Sequence, residues 1–302
     1  MSVNVIETQG LTVYYGKHRG IIDVDLTVEK GEAFGFLGPN GAGKTTTQRV
    51  LLDVIRPTSG KASIFGMDCR EQGVELRKRV GYLPGELALY KDMRASRFFK
   101  MVEYLRGTTD HKGYWRELAE RLDLDISRKI GNFSRGNKQK VGVVAAFMNR
   151  PDLLILDEPT SGLDPLVQQT VMEMVREVKA DGRTVFFSSH ILPEVQAVCD
   201  RVGIIREGQL VATQRVEELI AARLNRLTLI FADLPPAGVF DHDGVTELGR
   251  TEQSVMLEVR ENLPQVLATA AQYDIQDIET QNISLEDIFL DYYGKGNGGN
   301  HV

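Results

Sequence analysis

The sequence contains few of the features that place a chain outside the cell or across a membrane. It has two cysteines, Cys69 and Cys199, among 302 residues. These are too few for a disulfide framework and lack metal-ligand spacing. No apolar run approaches the roughly 18 residues of a membrane-spanning helix, and the N-terminus lacks the basic region and apolar block of a secretory signal. We therefore expect buried reduced thiols and a soluble, cytoplasmic protein whose membrane association comes through a partner.

The sequence also has fewer basic than acidic residues, 36 against 42. The net charge is −6, which argues against a broad nucleic-acid-binding surface but leaves room for a local basic patch. The contents of 42% hydrophobic and 26% charged residues are ordinary for a globular protein. A length of 302 residues fits one large domain or two modest ones. Nucleic acid is therefore not an expected partner.

A phosphate-binding pattern, G-x-x-x-x-G-K-[ST], stands near the N-terminus. The apolar run 33–37 precedes it, and a helical pattern from Lys44 to about Ile55 follows. The glycines let several backbone N–H groups point into one anion-binding concavity at a helix start. Lys44 then reaches the β- and γ-phosphates, and the Thr45 hydroxyl ligates Mg²⁺. A chance glycine-rich turn is the alternative, which the flanking strand and helix disfavour. The predicted nucleotide-binding loop consists of Gly38, Pro39, Asn40, Gly41, Ala42, Gly43, Lys44, Thr45 and Thr46.

Two further segments are predicted as buried strands that end in polar side chains. The apolar run 153–156 leads to Asp157 and Glu158, and the strand 184–189 leads to His190. Doubly wound sheets place their ligands at such carboxyl ends of buried strands. Asp157 is predicted to hold Mg²⁺, directly or through water, and Glu158 to orient or deprotonate the attacking water. His190 is predicted to hydrogen-bond the γ-phosphate. A helix-capping carboxylate and a structural histidine are the alternatives.

Three more segments have a structural interpretation, and the first two also have a nucleotide-binding one. Tyr15 stands upstream of the loop and either stacks on a purine, as aromatic side chains do on nucleic-acid bases, or belongs to a small strand core. Ser134 and Gly136 precede an apolar helix, 141–147, whose start offers free N–H groups to a phosphate. The pattern alone favours an ordinary helix cap there. Asp164 precedes a proline and fits a helix N-cap.

Together these motifs resemble the nucleotide-binding subunit of an ABC transporter over about residues 3–220. The loop and the Asp157-Glu158 pair would suit many P-loop ATPases. The segment Phe-Ser-Arg-Gly-Asn at 133–137 narrows the assignment, because it is similar to the family signature Leu-Ser-Gly-Gly-Gln. The other matching elements are the D-loop (161–164), the switch histidine (His190) and the adenine-stacking aromatic (Tyr15).

The resemblance implies a mechanism in which two such subunits face each other head to tail and close on two ATP molecules with Mg²⁺. Ser134 and Gly136 of one subunit would then contact the nucleotide held by the other. Closure would drive the membrane subunits, and hydrolysis would reopen the pair through positioning and charge stabilisation rather than covalent catalysis. The implied catalytic residues are Lys44, Glu158 and His190, and Asp164 joins the implied nucleotide-binding set.

The sequence departs from the family pattern at two places. The family usually has a glutamine after the strand equivalent to 80–84, but position 85 is a glycine. Either Glu86 substitutes as a metal ligand or the metal has one protein ligand fewer. The signature carries Arg135 and Asn137 where glycine and glutamine are usual. Arg135 either adds a charge-assisted contact to the γ-phosphate or points to solvent.

The predicted fold is an α/β P-loop NTPase core of the ABC ATPase type, residues 1–220, with an antiparallel β subdomain and a helical insertion at about 86–150. Residues 221–293 mix alternating strands with a helix and predict a small C-terminal α+β accessory domain. A capping box at Ser284 predicts a final helix there. The Gly- and Asn-rich end, 294–302, is predicted to be disordered.

The ending Ser-Leu-Glu-Asp-Ile-Phe resembles the C-terminal extension of bacterial and archaeal drug or antibiotic exporter ATPases whose membrane subunit is a separate chain. We therefore expect an ATPase that powers export through a separate transmembrane permease. It would pair with a second ATPase subunit at the cytoplasmic face of the membrane. The permease is expected to dock near an apolar groove, unless those side chains pack inside the insertion. The groove residues are Leu87, Leu89, Tyr90 and Met93.

Two other function classes are open to a chain with these motifs. A soluble ABC-type ATPase acting on DNA or ribosomes would carry a long coiled-coil insertion or a second phosphate loop, and the sequence has neither. A nucleotide-binding regulator without turnover is disfavoured by Glu158. The transport ATPase is therefore the leading hypothesis.

Overall fold

The computed structural model describes residues 3–107, 111–221 and 225–281. The chain divides into two compact units, Met1–Val216 and Glu217–Val302, with a boundary close to the limit of residue 220 that the sequence predicts. The strands of the first unit are β1 (Asn4–Tyr15), β2 (His18–Glu29), β3 (Ala33–Leu37), β4 (Ser59–Ile64), β5 (Met67–Asp68), β6 (Val80–Leu83), β7 (Leu153–Asp157), β8 (Thr184–Ser189), β9 (Arg201–Arg206) and β10 (Gln209–Arg215). Its described helices are α1 (Lys44–Leu51), α2 (Gly73–Lys78), α3 (Ala95–Arg106), α4 (Trp115–Arg121), α5 (Arg135–Phe147), α6 (Pro165–Ala180) and α7 (Leu192–Val198).

A six-stranded sheet with the order β10-β9-β3-β8-β7-β6 forms the centre of the first unit. Its strand pairs are parallel except for β9 with β10. Every residue of β3, β7 and β8 is buried, as expected for parallel strands that are covered on both faces. Because these three strands are neighbours, their carboxyl ends lie side by side. The predicted α/β core is confirmed, and its strand order brings together three motifs that are distant in sequence.

A second, antiparallel sheet has the order β2-β1-β4-β5. The sequence predicts two separate strands at 3–8 and 11–15, but the structure has the single long strand β1. The pairing register shifts between Thr8 and Leu11, where Gly10 has a φ of +56°. Glycine adopts this conformation easily, so the break in the pattern marks an irregularity within a strand rather than a strand end.

The helical insertion lies between β6 and β7 and contains α3, α4 and α5. Its interior is aromatic: Phe99 and Trp115 are fully buried, with ring centroids 5.6 Å apart. Helix α5 begins at Arg135, before the predicted start at 141. Its first turns, 135–140, are polar and carry no apolar periodicity, so the hydrophobic pattern alone hid them.

The second unit has the four-stranded antiparallel sheet β12-β13-β11-β14. The sequence predicts three of these strands but misses β12, an edge strand whose residues are mostly exposed and show no clear alternation. The helix predicted after Ser284 and the tail at 294–302 lie outside the described residues. The elements are α8 (Val216–Ala221), β11 (Asn225–Phe231), β12 (Val245–Arg250), β13 (Ser254–Val259), α9 (Leu263–Ala270) and β14 (Ile275–Gln281).

The structure can be compared with two expectations from the composition, buried thiols and no membrane-spanning helix. Cys69 and Cys199 are free and buried. Burial raises the pKa of the Cys69 thiol to about 12 and also raises the pKa of Cys199, so both thiols are chemically quiet. Within residues 3–107, 111–221 and 225–281, none of the helices has the length and apolarity to cross a bilayer.

Gln48 on α1 has a buried side-chain amide that lacks hydrogen-bond partners among the described residues. Within the described part of the chain, neither its Nε2 nor its Oε1 has a hydrogen-bond partner, and the residue is fully buried. Such burial costs about 1–3 kcal/mol. We therefore expect Gln48→Leu, which keeps the volume, to raise the free energy of unfolding by about 1–3 kcal/mol in urea denaturation.

The control for this prediction is Gln48→Ala. This variant also removes the amide but leaves a cavity, so it should lose the gain in stability. A leucine variant that is less stable than the wild type would show that the amide is satisfied in solution.

Candidate functional site

The phosphate loop joins β3 to α1 and relies on glycine at several positions. Gly41 and Gly43 have φ values of +79° and +112°. A β-carbon on Gly43 would lie 2.5 Å from Ile21 Cγ2, and one on Gly38 would lie 2.3 Å from the Ile205 carbonyl oxygen. The loop therefore packs directly against β2 and β9, which leaves no room for a side chain at positions 38 and 43.

Lys44, the first residue of α1, turns back over this loop. It is 5% exposed, and its Nζ donates to the carbonyl oxygens of Gly38 at 2.7 Å and Pro39 at 3.1 Å. The Glu158 Oε1 lies 3.4 Å from Nζ. Loss of hydration lowers the pKa of Lys44, and the neighbouring Glu158 carboxylate opposes this effect. The ammonium is thus a poorly hydrated cation that a phosphate group would stabilise.

The lowered pKa of Lys44 predicts a pH-dependent nucleotide affinity. Bound phosphate favours the charged ammonium, so binding raises this pKa and takes up a proton. Affinity should therefore be constant near neutral pH. It should fall as the pH rises through the lowered pKa of the free protein, in a window that begins below the ordinary value of 10.5. Titration with a fluorescent ATP analogue, without metal, measures this fall.

Lys44→Arg is the matched variant for that titration. Its guanidinium stays protonated throughout, so any affinity that remains should not change over the same window. A wild-type affinity that is flat up to the ordinary lysine pKa would contradict the prediction.

Two oxygen ligands predicted for Mg²⁺ are in direct contact. The Thr45 hydroxyl donates to Asp157 Oδ2 at 2.6 Å, although 112 residues separate them in sequence. Ser188 Oγ donates to the other carboxylate oxygen, Oδ1, at 2.6 Å, and Asp157 is 1% exposed. Sequence reasoning missed Ser188; its position opposite Asp157 in the β7-β8 register reveals it.

A hydroxyl and a carboxylate suit Mg²⁺, which prefers oxygen ligands and completes its shell with water and phosphate. In the described parts of the chain, no group of three or more His, Cys, Asp or Glu side chains could hold a metal. The donor set at Thr45 and Asp157 therefore fits Mg²⁺ held jointly with a nucleotide, rather than a metal held by protein ligands alone.

Position 85, not 86, faces this pair. A β-carbon built on Gly85 would lie 3.0 Å from Asp157 Oδ2. Glu86 is exposed, and no hydrogen bond or ion pair joins it to another described residue. The predicted metal-ligand role of Glu86 stays a prediction, which this geometry does not favour.

Glu158 follows β7 directly and stands between Lys44 and His190. Its Oε1 is 3.1 Å from His190 Nδ1 and 3.4 Å from Lys44 Nζ. Its backbone φ is +50°, a left-handed conformation that costs a non-glycine residue about 1–3 kcal/mol and persists only where the surroundings hold it. The strand order thus assembles all three predicted catalytic residues at one edge of the sheet.

The predicted signature turn opens α5 and makes the contacts of a helix cap. Ser134 Oγ accepts from the Asn137 N–H at 3.2 Å, and Ser134 is exposed. Asp164 caps α6 in the same way, accepting from the Val167 N–H at 3.1 Å. Both capping interpretations therefore hold in this structure, and the nucleotide contacts of Ser134, Gly136 and Asp164 stay predictions.

Arg135 is exposed and contacts the loop that follows Glu158, and its predicted contact to a γ-phosphate stays a prediction. Its Nη2 donates to Ser161 Oγ at 3.1 Å, and its stem packs beside Gly162, whose β-carbon would lie 3.3 Å from Nε. On the same side, a β-carbon on Gly136 would lie 2.8 Å from the Gly162 carbonyl oxygen. The start of α5 is therefore fastened to the loop that follows Glu158.

Tyr15 lies at the border of the phosphate loop. Its hydroxyl is 3.3 Å from Thr46 Oγ1, and the side chain is half exposed at 45%. A ring that is open to solvent and anchored to α1 is free to receive a base, whereas a strand-core tyrosine would be buried. The predicted stacking role stays a prediction that this position favours.

Comparison with known proteins gives a consistent result. The ABC transporter family matches residues 21–161. The ABC transporter ATP-binding protein NatA of Bacillus subtilis is 37% identical over 70% of this chain and 89% of that protein. The bacitracin transport ATP-binding protein BcrA of Bacillus licheniformis is 33% identical over 98% of this chain and 99% of that protein.

A solved structure of an ATP-binding subunit of an ABC transporter is 30% identical, with a TM-score of 0.67, over 71% of this chain and 91% of that chain. NatA and BcrA are matched over 89% and 99% of their own length. The chain therefore belongs to the ABC transporter ATP-binding family, and it is an ATPase that powers transport.

Proposed function

We propose that the chain is one of two facing subunits of an exporter ATPase, which close on Mg²⁺ and ATP and reopen after hydrolysis. The observation that carries the proposal is the position of Glu158 Oε1, within 3.1 Å of His190 Nδ1 and 3.4 Å of Lys44 Nζ. A carboxylate beside a phosphate loop, with a histidine across from it, can order and deprotonate a water that attacks the γ-phosphate.

The residues of the site divide the chemistry among them. The loop N–H groups and Lys44 bind the phosphates, and Glu158 accepts the proton of the attacking water. His190 donates to the γ-phosphate and holds the Glu158 carboxylate in place. Thr45 and Asp157 would hold Mg²⁺, which supplies neutralisation of the charge on the β- and γ-phosphates.

The dimer part of the proposal places Ser134 and Gly136 of one subunit on the nucleotide of the other. The start of α5 is exposed at Ser134 and carries the positive end of a helix dipole. In a single subunit this tip is fastened to the 161–162 loop rather than to its own phosphate loop. A second subunit would bring a phosphate to it.

Mixing two inactive variants tests this arrangement. Lys44→Ala and Ser134→Arg should each abolish hydrolysis on their own. A mixed dimer has one composite site with an intact loop and an intact helix tip, so the mixture should recover activity. A mixture that stays inactive while native mass spectrometry shows mixed dimers would refute action in trans.

The membrane part of the proposal assigns the permease to the segment around 86–99. Tyr90 is the exposed member of the predicted groove, at 59%, and its ring lies 6.3 Å from that of Phe98. The leucines at 87 and 89 and Met93 are half-buried. We expect Leu89→Glu with Tyr90→Glu to abolish recruitment to membranes that contain the permease while basal hydrolysis persists. Recruitment at the wild-type level would refute this docking site.

The relatives support export and a position at the membrane. BcrA of Bacillus licheniformis is described as a bacitracin transport protein and LnrL of Bacillus subtilis as a linearmycin resistance protein; they are 33% and 29% identical to this chain over nearly full length. We infer a peripheral position at the cytoplasmic face of the membrane, on a separate permease. Co-purification of the permease and reconstitution in vesicles test this inference. A chain that stays monomeric and hydrolyses no ATP with its permease present would overturn it.

A further inference from the structure

The turn 158–160 is held from two sides by polar side chains, one buried and one half-buried. Glu158 has its backbone in the left-handed region, with a φ of +50°, which a glutamate keeps only under external constraint. The main-chain N–H of Glu158 donates to the Ser188 carbonyl at 3.1 Å, and side chains of helices α5 and α7 add further constraints. Neither constraining residue belongs to a nucleotide-binding motif.

Gln139 on α5 holds the main chain of this turn. It is 6% exposed, and its Nε2 donates to the carbonyl oxygens of Glu158 at 3.2 Å and Pro159 at 3.1 Å. One amide group thus binds two successive carbonyls, one of which belongs to the strained residue itself. A side chain without these donors would leave both carbonyls buried beside an apolar group.

Glu194 on α7 binds the side chain of the last residue of the turn and connects the turn to β8. Its Oε1 accepts from Thr160 Oγ1 at 2.5 Å, and its Oε2 accepts from Ser189 Oγ at 2.6 Å. Both hydroxyl residues are almost fully buried. Ser189 directly precedes His190, so one carboxylate joins the segment that carries Glu158 to the segment that carries His190.

We propose that Gln139 and Glu194 are positioning residues for hydrolysis, which together set the distance between the Glu158 carboxylate and His190. The inference rests on the proposed role of Glu158 as the general base. The two residues act through the turn and the end of β8, and they leave Lys44 and the phosphate loop untouched. Their loss should therefore slow the chemical step without weakening nucleotide binding.

The variants Gln139→Leu and Glu194→Ala test this in the full-length chain. We expect kcat for ATP hydrolysis to fall about tenfold or more, since misplacement of reacting groups by about 1 Å can cost a hundredfold. KM for ATP and the affinity for a fluorescent ATP analogue should stay within about twofold, because only transition-state interactions are lost. Glu194→Gln can still bond both hydroxyls, which donate or accept, and it should recover most of the rate.

Gln168→Leu is the matched control. Gln168 on α6 also donates its side-chain amide to two carbonyls, those of Thr160 at 3.4 Å and Leu163 at 3.1 Å. It reaches only the far end of the turn, and among the described residues it has no hydrogen bond to Glu158 or Pro159. Its loss should leave kcat near the wild-type value. The double variant of Gln139 and Glu194 should lose less than the product of the two single losses, because both act on one turn.

The outcomes separate this inference from the function it rests on. An unchanged kcat in both single variants overturns it, and so does a fall in kcat that is matched by the loss of nucleotide affinity and of the thermal unfolding transition. Glu158→Gln hydrolysing ATP at the wild-type rate would instead refute the base assignment, whatever the two positioning variants do.

Discussion

Glu158→Gln is expected to lower kcat for ATP hydrolysis by about 10²–10⁴-fold, the usual contribution of a general base. Glutamine keeps the shape of the side chain and can still contact His190, which lies 3.1 Å from Oε1 in the wild type, but it cannot accept a proton from water. Binding should survive because the loop and Lys44 are intact. The variant should therefore accumulate as an ATP-bound dimer, which phosphate-release assays and size-exclusion chromatography with ATP measure.

The control for this experiment is a second glutamate that also has a hydrogen-bonded partner but lies outside the predicted site. Glu177 on α6 accepts from both Arg121 Nη atoms, at 2.6 and 2.7 Å, and Glu177→Gln should hydrolyse ATP at the wild-type rate. A Glu158→Gln protein with ordinary turnover would contradict the proposed mechanism. So would one that remains monomeric with ATP present.

Gly43→Ala should have the largest effect on folding of the loop. Alanine at a φ of +112° is strained, and its β-carbon would lie 2.5 Å from Ile21 Cγ2 on β2. The conformational cost and the steric overlap together amount to about 2–5 kcal/mol. Because Gly43 caps α1, relief of the clash must move the helix start that carries Lys44 and Thr45. We expect both a large loss of unfolding free energy and a loss of nucleotide binding.

Gly41→Ala separates strain from steric overlap. Gly41 has a similar left-handed conformation, with a φ of +79°, but nothing lies within 4 Å of a β-carbon built there. It should lose only about 1–2 kcal/mol and keep measurable nucleotide affinity. Equal losses in the two alanine variants, by denaturant unfolding and nucleotide titration, would show that packing against Ile21 does not matter.

The features that could be predicted from the sequence are those written in contiguous residues. The phosphate loop is one strand-turn-helix unit, so its glycines, Lys44 and Thr45 stand together in the pattern. The buried strand 153–157 is predicted by an apolar run and the strand 184–189 by its Val-Phe-Phe centre, and the ends of both strands mark the ligand-binding edge. Predictions failed where local pattern misleads: an irregularity at Gly10 looked like a strand end, and the exposed edge strand β12 showed no alternation.

By itself, the sequence determined the family, the α/β core and which residues are predicted to do the chemistry, because each depends on short motifs with local physical requirements. Only the tertiary structure decided which distant groups meet. Thr45 reaches Asp157 across 112 positions, Ser188 joins that pair, and Arg135 turns to Ser161 because the strand order β3-β8-β7 and the docking of α5 bring them into contact. Strand order and helix docking depend on packing across the whole unit. They therefore cannot be predicted from the local periodicity of hydrophobic residues. The constraints on Glu158 from Gln139 and Glu194 are also contacts between distant residues that only the tertiary structure reveals.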